Sequence, residues 1–157
     1  MRALQGRSIA LVAVFGFLLM TACGGGGTPA ASPSASPSAP PTTSAGGTVN
    51  ATEKDFSIVL DPTSIGAGSV EFAITNEGPS THEFVVFETD LAPDKLPLKN
   101  GSVDEEGEGV TAVDEQEDIE PNATVNLDVT LEAGSYVIIC NIPGHYQLGM
   151  RVGLTVS

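Results

Sequence analysis

Four side chains after position 47 have the chemistry of soft and borderline metal ligands. Three of them form the pattern C-x4-H-x4-M in residues 140–150, and they are Cys140, His145 and Met150. The fourth, His82, opens an earlier β-rich run. A thiolate, two imidazoles and a thioether are the ligands of a blue copper centre, in which Cys and two His lie in a trigonal plane and Met is a distant axial ligand. These residue types therefore predict one copper site.

Each of these residues also has an ordinary explanation. A buried Cys is more often a small apolar side chain than a ligand, a lone His is commonly a surface residue, and a single Met usually fills a gap in a core. However, no other Cys, His or Met follows position 47. These four residues together match a known set of metal ligands, so we favour metal binding over four separate structural roles.

The elements that must position these ligands are short β-strands. Apolar residues alternate with polar ones in residues 70–74 and 125–131, which is typical of half-buried strands. Further β-rich runs, separated by Gly, Pro and Asn turns, occupy residues 56–60, 82–87, 136–140 and 152–156. About seven strands, without an amphipathic helix or a repeat, predict a single all-β domain over residues 48–157. We expect a Greek-key β-sandwich or barrel.

In this fold the ligand spacing has a simple physical reason. Cys140 ends a strand, and Pro143 and Gly144 turn the chain so that His145 and Met150 point back towards one metal ion. A sandwich can then bring His82, from an earlier strand end, against the same loop. The pattern therefore predicts a rigid site at one end of the domain.

The domain resembles the cupredoxins over about residues 56–156. Residues 134–140 match the G-x-Y-x-x-x-C strand of that family, and residues 76–83 resemble the segment that supplies its first His ligand. The C-x4-H-x4-M spacing is similar to that of auracyanins and rusticyanin, whereas plastocyanins and azurins have shorter spacings. One departure is Glu83, which stands where several of these families have Asn.

The resemblance implies a type 1 copper protein of the auracyanin, plastocyanin and azurin kind, with one copper per chain. It implies that the ligands are His82, Cys140, His145 and Met150. It also implies that Tyr136 makes a tyrosine-corner hydrogen bond and that the edge of the His145 ring is where electrons enter and leave.

The first 47 residues have features of export. Arg2 and Arg7 precede an apolar run over residues 9–20, which is shorter than the roughly 20 residues of a membrane span. Residues 20–23, Met-Thr-Ala-Cys, resemble a bacterial lipobox. We therefore predict a lipoprotein signal peptide over residues 1–22 and lipidation of Cys23; an ordinary signal peptide with an incidental cysteine is the alternative. Residues 24–47 contain only Gly, Ala, Ser, Thr and Pro, so residues 23–47 are predicted to be a lipidated Cys followed by a disordered linker.

The charge of the chain limits its partners. With 20 acidic and six basic residues its formal charge is −14, which excludes a nucleic-acid-binding role and gives no attraction to an anionic bilayer. We expect an exported monomer, lipid-anchored to the outer face of the cytoplasmic membrane or in the periplasm. Its redox partners would have a basic docking surface, as a c-type cytochrome or an oxidase subunit could.

Residues 103–120 carry nine acidic residues and no basic one. We interpret this segment as a solvated loop that confers solubility or steers a basic partner. Residues 104–115 also approximate the ligand pattern of an EF-hand calcium loop, although they lack amphipathic flanking helices. Calcium binding is therefore the weaker interpretation.

These observations favour a membrane-anchored one-electron carrier that cycles between Cu(II) and Cu(I). The alternative is an extracytoplasmic copper-handling protein, a chaperone or a store, although such proteins usually need exposed clusters of Met or His. A copper oxidase or nitrite reductase would need a further copper with its own His ligands, and no His is spare. We therefore expect no enzymatic activity from this chain alone.

Overall fold

The computed structural model describes residues 46–157, which form eleven strands and one short helix. In chain order the elements are β1 Gly47–Lys54, β2 Ser57–Asp61, β3 Ser64–Ile65, β4 Gly68–Asn76, β5 His82–Glu88, β6 Leu98–Lys99, β7 Ser102–Val103, β8 Thr111–Ile119, β9 Thr124–Leu131, β10 Gly134–Ile139, α1 His145–Leu148 and β11 Arg151–Val156. The predicted signal peptide, Cys23 and the linker up to residue 45 lie outside the described residues. Within residues 46–157, no helix has the length and apolar character needed to cross a bilayer.

Two sheets face each other across a core, and the prediction of an all-β sandwich is confirmed. One sheet has the strand order β2-β1-β4-β9 and the other has the order β3-β11-β10-β5-β8. Strands β1 and β4 run parallel, as do β3 and β11, whereas the other neighbours are antiparallel. Strands β6 and β7 form a separate small hairpin.

The core between the sheets is built from the predicted alternation. Val70, Phe72 and Ile74 of β4 are fully buried, and every second residue of β9 from Leu127 onwards is buried beside them. Across the core, the Phe84 ring of β5 lies 5.2 Å from the Phe72 ring, centroid to centroid. Burial of such apolar area is the main source of stability for a domain of this size.

Strands β5 and β10 are buried on both faces, which explains why their apolar residues run consecutively. Their outer face is covered by the chain between β5 and β8 and by helix α1. The contact between this face and its cover forms a second apolar cluster, separate from the core between the sheets. Its buried residues are Val85, Phe87, Leu96, Val103, Val137, Ile139 and Tyr146. The strands that carry His82 and lead to Cys140 are therefore held from both sides.

The prediction that residues 103–120 form a loop is wrong for half of that segment. Thr111–Ile119 is strand β8, which pairs antiparallel with β5 at the edge of its sheet. Its side chains are exposed on both faces over most of its length, so they show no apolar alternation. Acidic side chains are tolerated there because an edge strand has a solvated flank. Because β8 starts inside residues 104–115, the EF-hand interpretation is also wrong.

Candidate metal centre

The four candidate ligands lie at strand ends at one end of the sandwich. His82 is the first residue of β5, Cys140 directly follows β10, and His145 begins helix α1. Met150 directly precedes β11. The structure thus places three of the four ligands on the loop that joins β10 to β11.

Backbone hydrogen bonds close this ligand loop. The Cys140 N–H donates to the Met150 carbonyl at 3.2 Å, and the Met150 N–H donates to the His145 carbonyl at 3.1 Å. Gly144 and Gly149 have φ of 91° and 127°, values that favour glycine, and they flank the single helical turn. The sequence did not predict this helix, because four residues are too few to show helical periodicity.

The imidazole nitrogens of both histidines face the Cys140 sulfur. Sγ lies 3.3 Å from His145 Nδ1 and 3.8 Å from His82 Nδ1, and the three donor atoms lie within 4.8 Å of one another. A metal bonded at about 2.0 Å to nitrogen and about 2.3 Å to sulfur, in a trigonal plane, would put N and S about 3.7 Å apart. The arrangement therefore fits a trigonal copper site without rearrangement of the backbone.

Burial distinguishes the two histidines. His82, Cys140 and Met150 have no solvent exposure, whereas His145 is partly exposed. The Phe56 ring packs edge-on against the His145 ring at 5.1 Å between centroids and is itself 39% exposed. Only one candidate ligand therefore reaches the surface, and it does so beside an apolar side chain.

The environment of Cys140 disfavours a thiolate until a cation is present. Burial raises the pKa of its thiol to about 11, although hydrogen bonds from the Glu83 and Ile142 backbones oppose this shift. The Glu83 N–H donates to Sγ at 3.3 Å. A bound metal ion supplies the positive charge that deprotonates such a thiol. The thiolate formed in this way, together with the two nearby imidazoles, is a donor set suited to copper.

Glu83 differs from the Asn that was expected from related families, and its side chain lies among other acids. Burial raises the pKa of its carboxyl, and the charges of Glu117, Glu115 and Glu105 raise it further. The ligand loop is joined to β7 by Asn141, whose Oδ1 accepts a hydrogen bond from the Val103 N–H at 2.7 Å. Its Nδ2 donates to Glu105 Oε1 at 2.8 Å. Sequence analysis missed Asn141, although it follows Cys140 directly.

A second buried amide fixes the segment before His82. Asn76 is fully buried, and its Nδ2 donates to the Ser80 carbonyl at 2.7 Å and to the Ile119 carbonyl at 2.8 Å. Its Oδ1 accepts from the Gly78 N–H at 2.8 Å. This side chain thereby joins the end of β4, the turn that follows it and the end of β8. A turn signal was recognised here, but the role of Asn76 was not.

Two tyrosines hold the strands and the helix in place. Tyr136 Oη donates to the Glu132 carbonyl at 3.0 Å, which is the expected tyrosine-corner bond. Tyr146 Oη accepts from the Leu96 N–H at 3.0 Å and donates to the Pro93 carbonyl at 2.8 Å. The second tyrosine fastens helix α1, and with it His145, to the chain that covers the sheet.

Comparisons with known proteins agree with this fold. The family model of the sulfocyanin (SoxE) domain matches residues 35–157. Among solved structures, auracyanin A, a blue copper protein of Chloroflexus aurantiacus, has 22% identity and a TM-score of 0.50 over 70% of this chain and 98% of its own. Reduced rusticyanin has 21% identity and a TM-score of 0.53 over 70% and 76%, respectively. No curated protein gives a significant match to the sequence.

Proposed function

The chain belongs to the sulfocyanin (SoxE) domain family, a family of cupredoxins, and from this premise we propose that it is a one-electron carrier. Cupredoxins of this kind bind one type 1 copper, and they are generally electron carriers. The observation that carries the proposal is the convergence of two Nδ1 atoms on one buried thiol. We assign the copper to His82, Cys140, His145 and Met150.

The residues of the site favour electron transfer over ligand exchange. The bound copper would supply the change between Cu(II) and Cu(I). The closed ligand loop and the hydrogen bonds of Asn76, Asn141 and Tyr146 hold the ligands in one arrangement. A fixed arrangement lowers the cost of reorganisation during transfer. Because His82, Cys140 and Met150 are fully buried, these residues would shield a metal held between them from water and from a substrate.

The exposed edge of His145 is the proposed point of electron exchange. Phe56, which packs against the His145 ring, and Leu148, at the end of the same helical turn, are 39% and 61% exposed, so they offer apolar surface to a partner. The described residues as a whole carry four basic and 20 acidic side chains, a formal charge of −16. Such a field steers a basic partner, for which a c-type cytochrome or an oxidase subunit is a candidate.

Export and anchoring complete the proposal. The basic start and short apolar run of residues 1–22, followed by Cys23, support lipidation and export. One acyl chain binds membranes only marginally, so stable anchoring would require more than one. In a bacterial host, Cys23→Ala should move the protein from the membrane fraction to the soluble fraction, with Ser32→Ala as the control. A Cys23→Ala protein that stays in the membrane fraction would contradict the lipid anchor.

The test of the electron-carrier function is the visible spectrum of residues 46–157 with Cu(II), repeated after one equivalent of ascorbate and after reoxidation. We expect an intense red-region band that bleaches and returns. Metal retention separates a carrier from a copper-handling protein, because a carrier should keep its copper through many cycles in the presence of a Cu(I) chelator. Binding of copper without a band, or its loss on reduction, would favour copper handling. Turnover of nitrite or O2 by the isolated domain would contradict the absence of enzymatic activity.

A further inference from the structure

The second ring nitrogen of His82 lies against a carboxylate. With Nδ1 facing Cys140, Nε2 points away from the site and lies 3.0 Å from Asp55 Oδ1. Nε2 is fully buried, and within the described residues the Asp55 carboxylate is the polar group that it contacts. Asp55 Oδ1 is therefore placed to accept a hydrogen bond from an Nε2–H group of His82.

Asp55 is itself held in position. It lies in the turn between β1 and β2, and its Oδ2 accepts a hydrogen bond from Ser80 Oγ at 2.7 Å. This bond, with a smaller contribution from the His82 charge, lowers the pKa of the Asp55 carboxyl. Ser80 belongs to the turn that Asn76 fixes through the Ser80 carbonyl. One buried amide thus orders both the segment before His82 and the group that holds Asp55.

Glycine at position 78 leaves room for this approach. A Cβ atom there would lie 2.7 Å from Asp55 Oδ1 and 3.0 Å from His82 Nε2. Real Cβ atoms essentially never come as close as the first of these distances, so a side chain at position 78 would push the two groups apart. The turn sequence therefore accommodates the contact between Asp55 and His82 as well as the turn itself.

We propose that Asp55 is a positioning residue for His82, which keeps the imidazole in the Nε2–H tautomer and its Nδ1 free for the metal. This inference deepens the proposed function and rests on it. A carboxylate that accepts the distal N–H of a ligand histidine fixes the ring orientation and makes the ligating nitrogen more basic. A more basic ligand stabilises Cu(II) more than Cu(I), so Asp55 should lower the reduction potential.

The test compares Asp55→Asn with Glu77→Gln. Glu77 is a neighbouring carboxylate that pairs with Lys54 at 2.7 Å on the surface, so the control removes the same charge without touching His82. The first readout is the 15N NMR spectrum of His82 in metal-free protein at pH 8, where an ordinary imidazole is neutral. We expect almost entirely the Nε2–H tautomer in wild type and in Glu77→Gln, and a mixture of tautomers in Asp55→Asn.

The second readout is the reduction potential of the copper-loaded protein. Loss of such an outer partner typically costs 10- to 100-fold in metal affinity. If Asp55→Asn weakens the binding of Cu(II) by this factor and leaves the binding of Cu(I) unchanged, its reduction potential should rise by about 59–118 mV. Each tenfold change in the ratio of the two affinities corresponds to about 59 mV for one electron. Glu77→Gln should shift the potential much less. Equal shifts in the two variants, or an unchanged tautomer in Asp55→Asn, would overturn the proposal.

Ser80→Ala provides a second variant in case Asp55→Asn does not fold. It keeps the carboxylate but removes the hydroxyl that holds it, so both readouts should move in the same direction by a smaller amount. An unchanged tautomer in a folded Ser80→Ala protein, with Asp55→Asn unfolded, would overturn the proposal. The outcomes also separate the two levels of inference. If the copper-loaded wild type shows no blue band, the electron-carrier function is overturned. The NMR spectrum of the metal-free protein still tests whether Asp55 fixes the tautomer of His82.

Discussion

At the scale of single residues, the two buried sulfur atoms of the site have different roles. Cys140 would supply the thiolate that gives a blue centre its intense charge-transfer band. Cys140→Ser should therefore abolish the red-region band of the copper-loaded protein, which absorption spectroscopy measures directly. Ser135→Ala, an exposed change on the strand that leads to Cys140, should leave the band unchanged. A band that persists in Cys140→Ser would exclude Cys140 as the ligand.

Met150 is the proposed weak axial ligand. Met150→Leu nearly conserves volume, so the fold should persist and copper should still bind with its colour. Loss of an electron-donating sulfur disfavours Cu(II), and the reduction potential should rise by tens of millivolts, each 59 mV being tenfold in the one-electron equilibrium. A spectroscopic redox titration measures the shift. A fall in potential would contradict axial ligation by Met150.

Glu53 is a buried acid that the proposed function does not use. It lies on β1 beside Asn76 of β4, it has no solvent exposure, and neither of its carboxylate oxygens has a hydrogen-bond partner. Burial raises the pKa of this carboxyl to about 8. The folded protein therefore holds a proton here at neutral pH, whereas an unfolded chain with an ordinary pKa near 4.5 would release it.

This difference makes the free energy of unfolding depend on pH. Between about pH 4.5 and pH 8 the folded state binds more protons at Glu53 than the unfolded state, so stability falls as pH rises, by at most about 1.4 kcal/mol per pH unit. Relative to Glu53→Gln, metal-free wild type should lose roughly 2–3 kcal/mol between pH 5 and pH 7. Urea unfolding of both proteins at the two pH values measures this. Parallel pH profiles would show that Glu53 is ionised in the folded protein.

At the scale of secondary-structure elements, Asn76 connects three of them through its buried side chain. Asn76→Ala removes three hydrogen bonds and leaves the Ile119 and Ser80 carbonyls with fewer donors. We expect a loss of roughly 2–4 kcal/mol in the free energy of unfolding, since each bond contributes about 1 kcal/mol and buried unpaired groups add a penalty. Urea unfolding measures this loss. Asn126→Ala, on the exposed face of β9, should change stability by less than about 0.5 kcal/mol.

Strands were predictable where their side chains alternate between core and solvent. Strands β4 and β9 do so, and their buried positions follow directly from the sequence. Strand β8 is held by backbone pairing to β5, and its exposed acids carry no periodic signal. Strand β1 places Glu53 where an apolar residue would be expected. Neither strand was predicted from the sequence, because backbone hydrogen bonds can form with almost any residue type and therefore produce no characteristic pattern of side chains.

The candidate ligands were predictable because chemistry restricts them to a few residue types at fixed spacing. The residues that position them are ordinary polar residues, and their contacts span long stretches of sequence. Asn141 bonds to Val103, and Asp55 lies against His82. A single sequence does not indicate which Asn or Asp will meet which backbone group after folding. Such residues were therefore found only from the three-dimensional contacts.

At the scale of the whole molecule, the formal charge of −16 over residues 46–157 should govern the kinetics of electron exchange. Oxidation by a cationic cobalt complex should slow as ionic strength rises, because salt screens the attraction. Oxidation by ferricyanide, an anion, should become faster over the same range. Stopped-flow measurements of both reactions between about 10 and 150 mM salt provide the comparison. If the rates of oxidation by the cobalt complex and by ferricyanide both rise or both fall with ionic strength, electrostatic steering at the site of electron exchange would be contradicted.

The direction of β1 separates the start of the domain from its copper end. The strand begins at Gly47 and runs towards Asp55, which lies against the buried histidine. At about 3.3 Å per residue, its eight residues span roughly 26 Å. The chain therefore enters the sandwich at the pole opposite the copper end. A tether joined to residue 46 would therefore leave the domain at the end away from His82, so it would not cover the exposed part of His145.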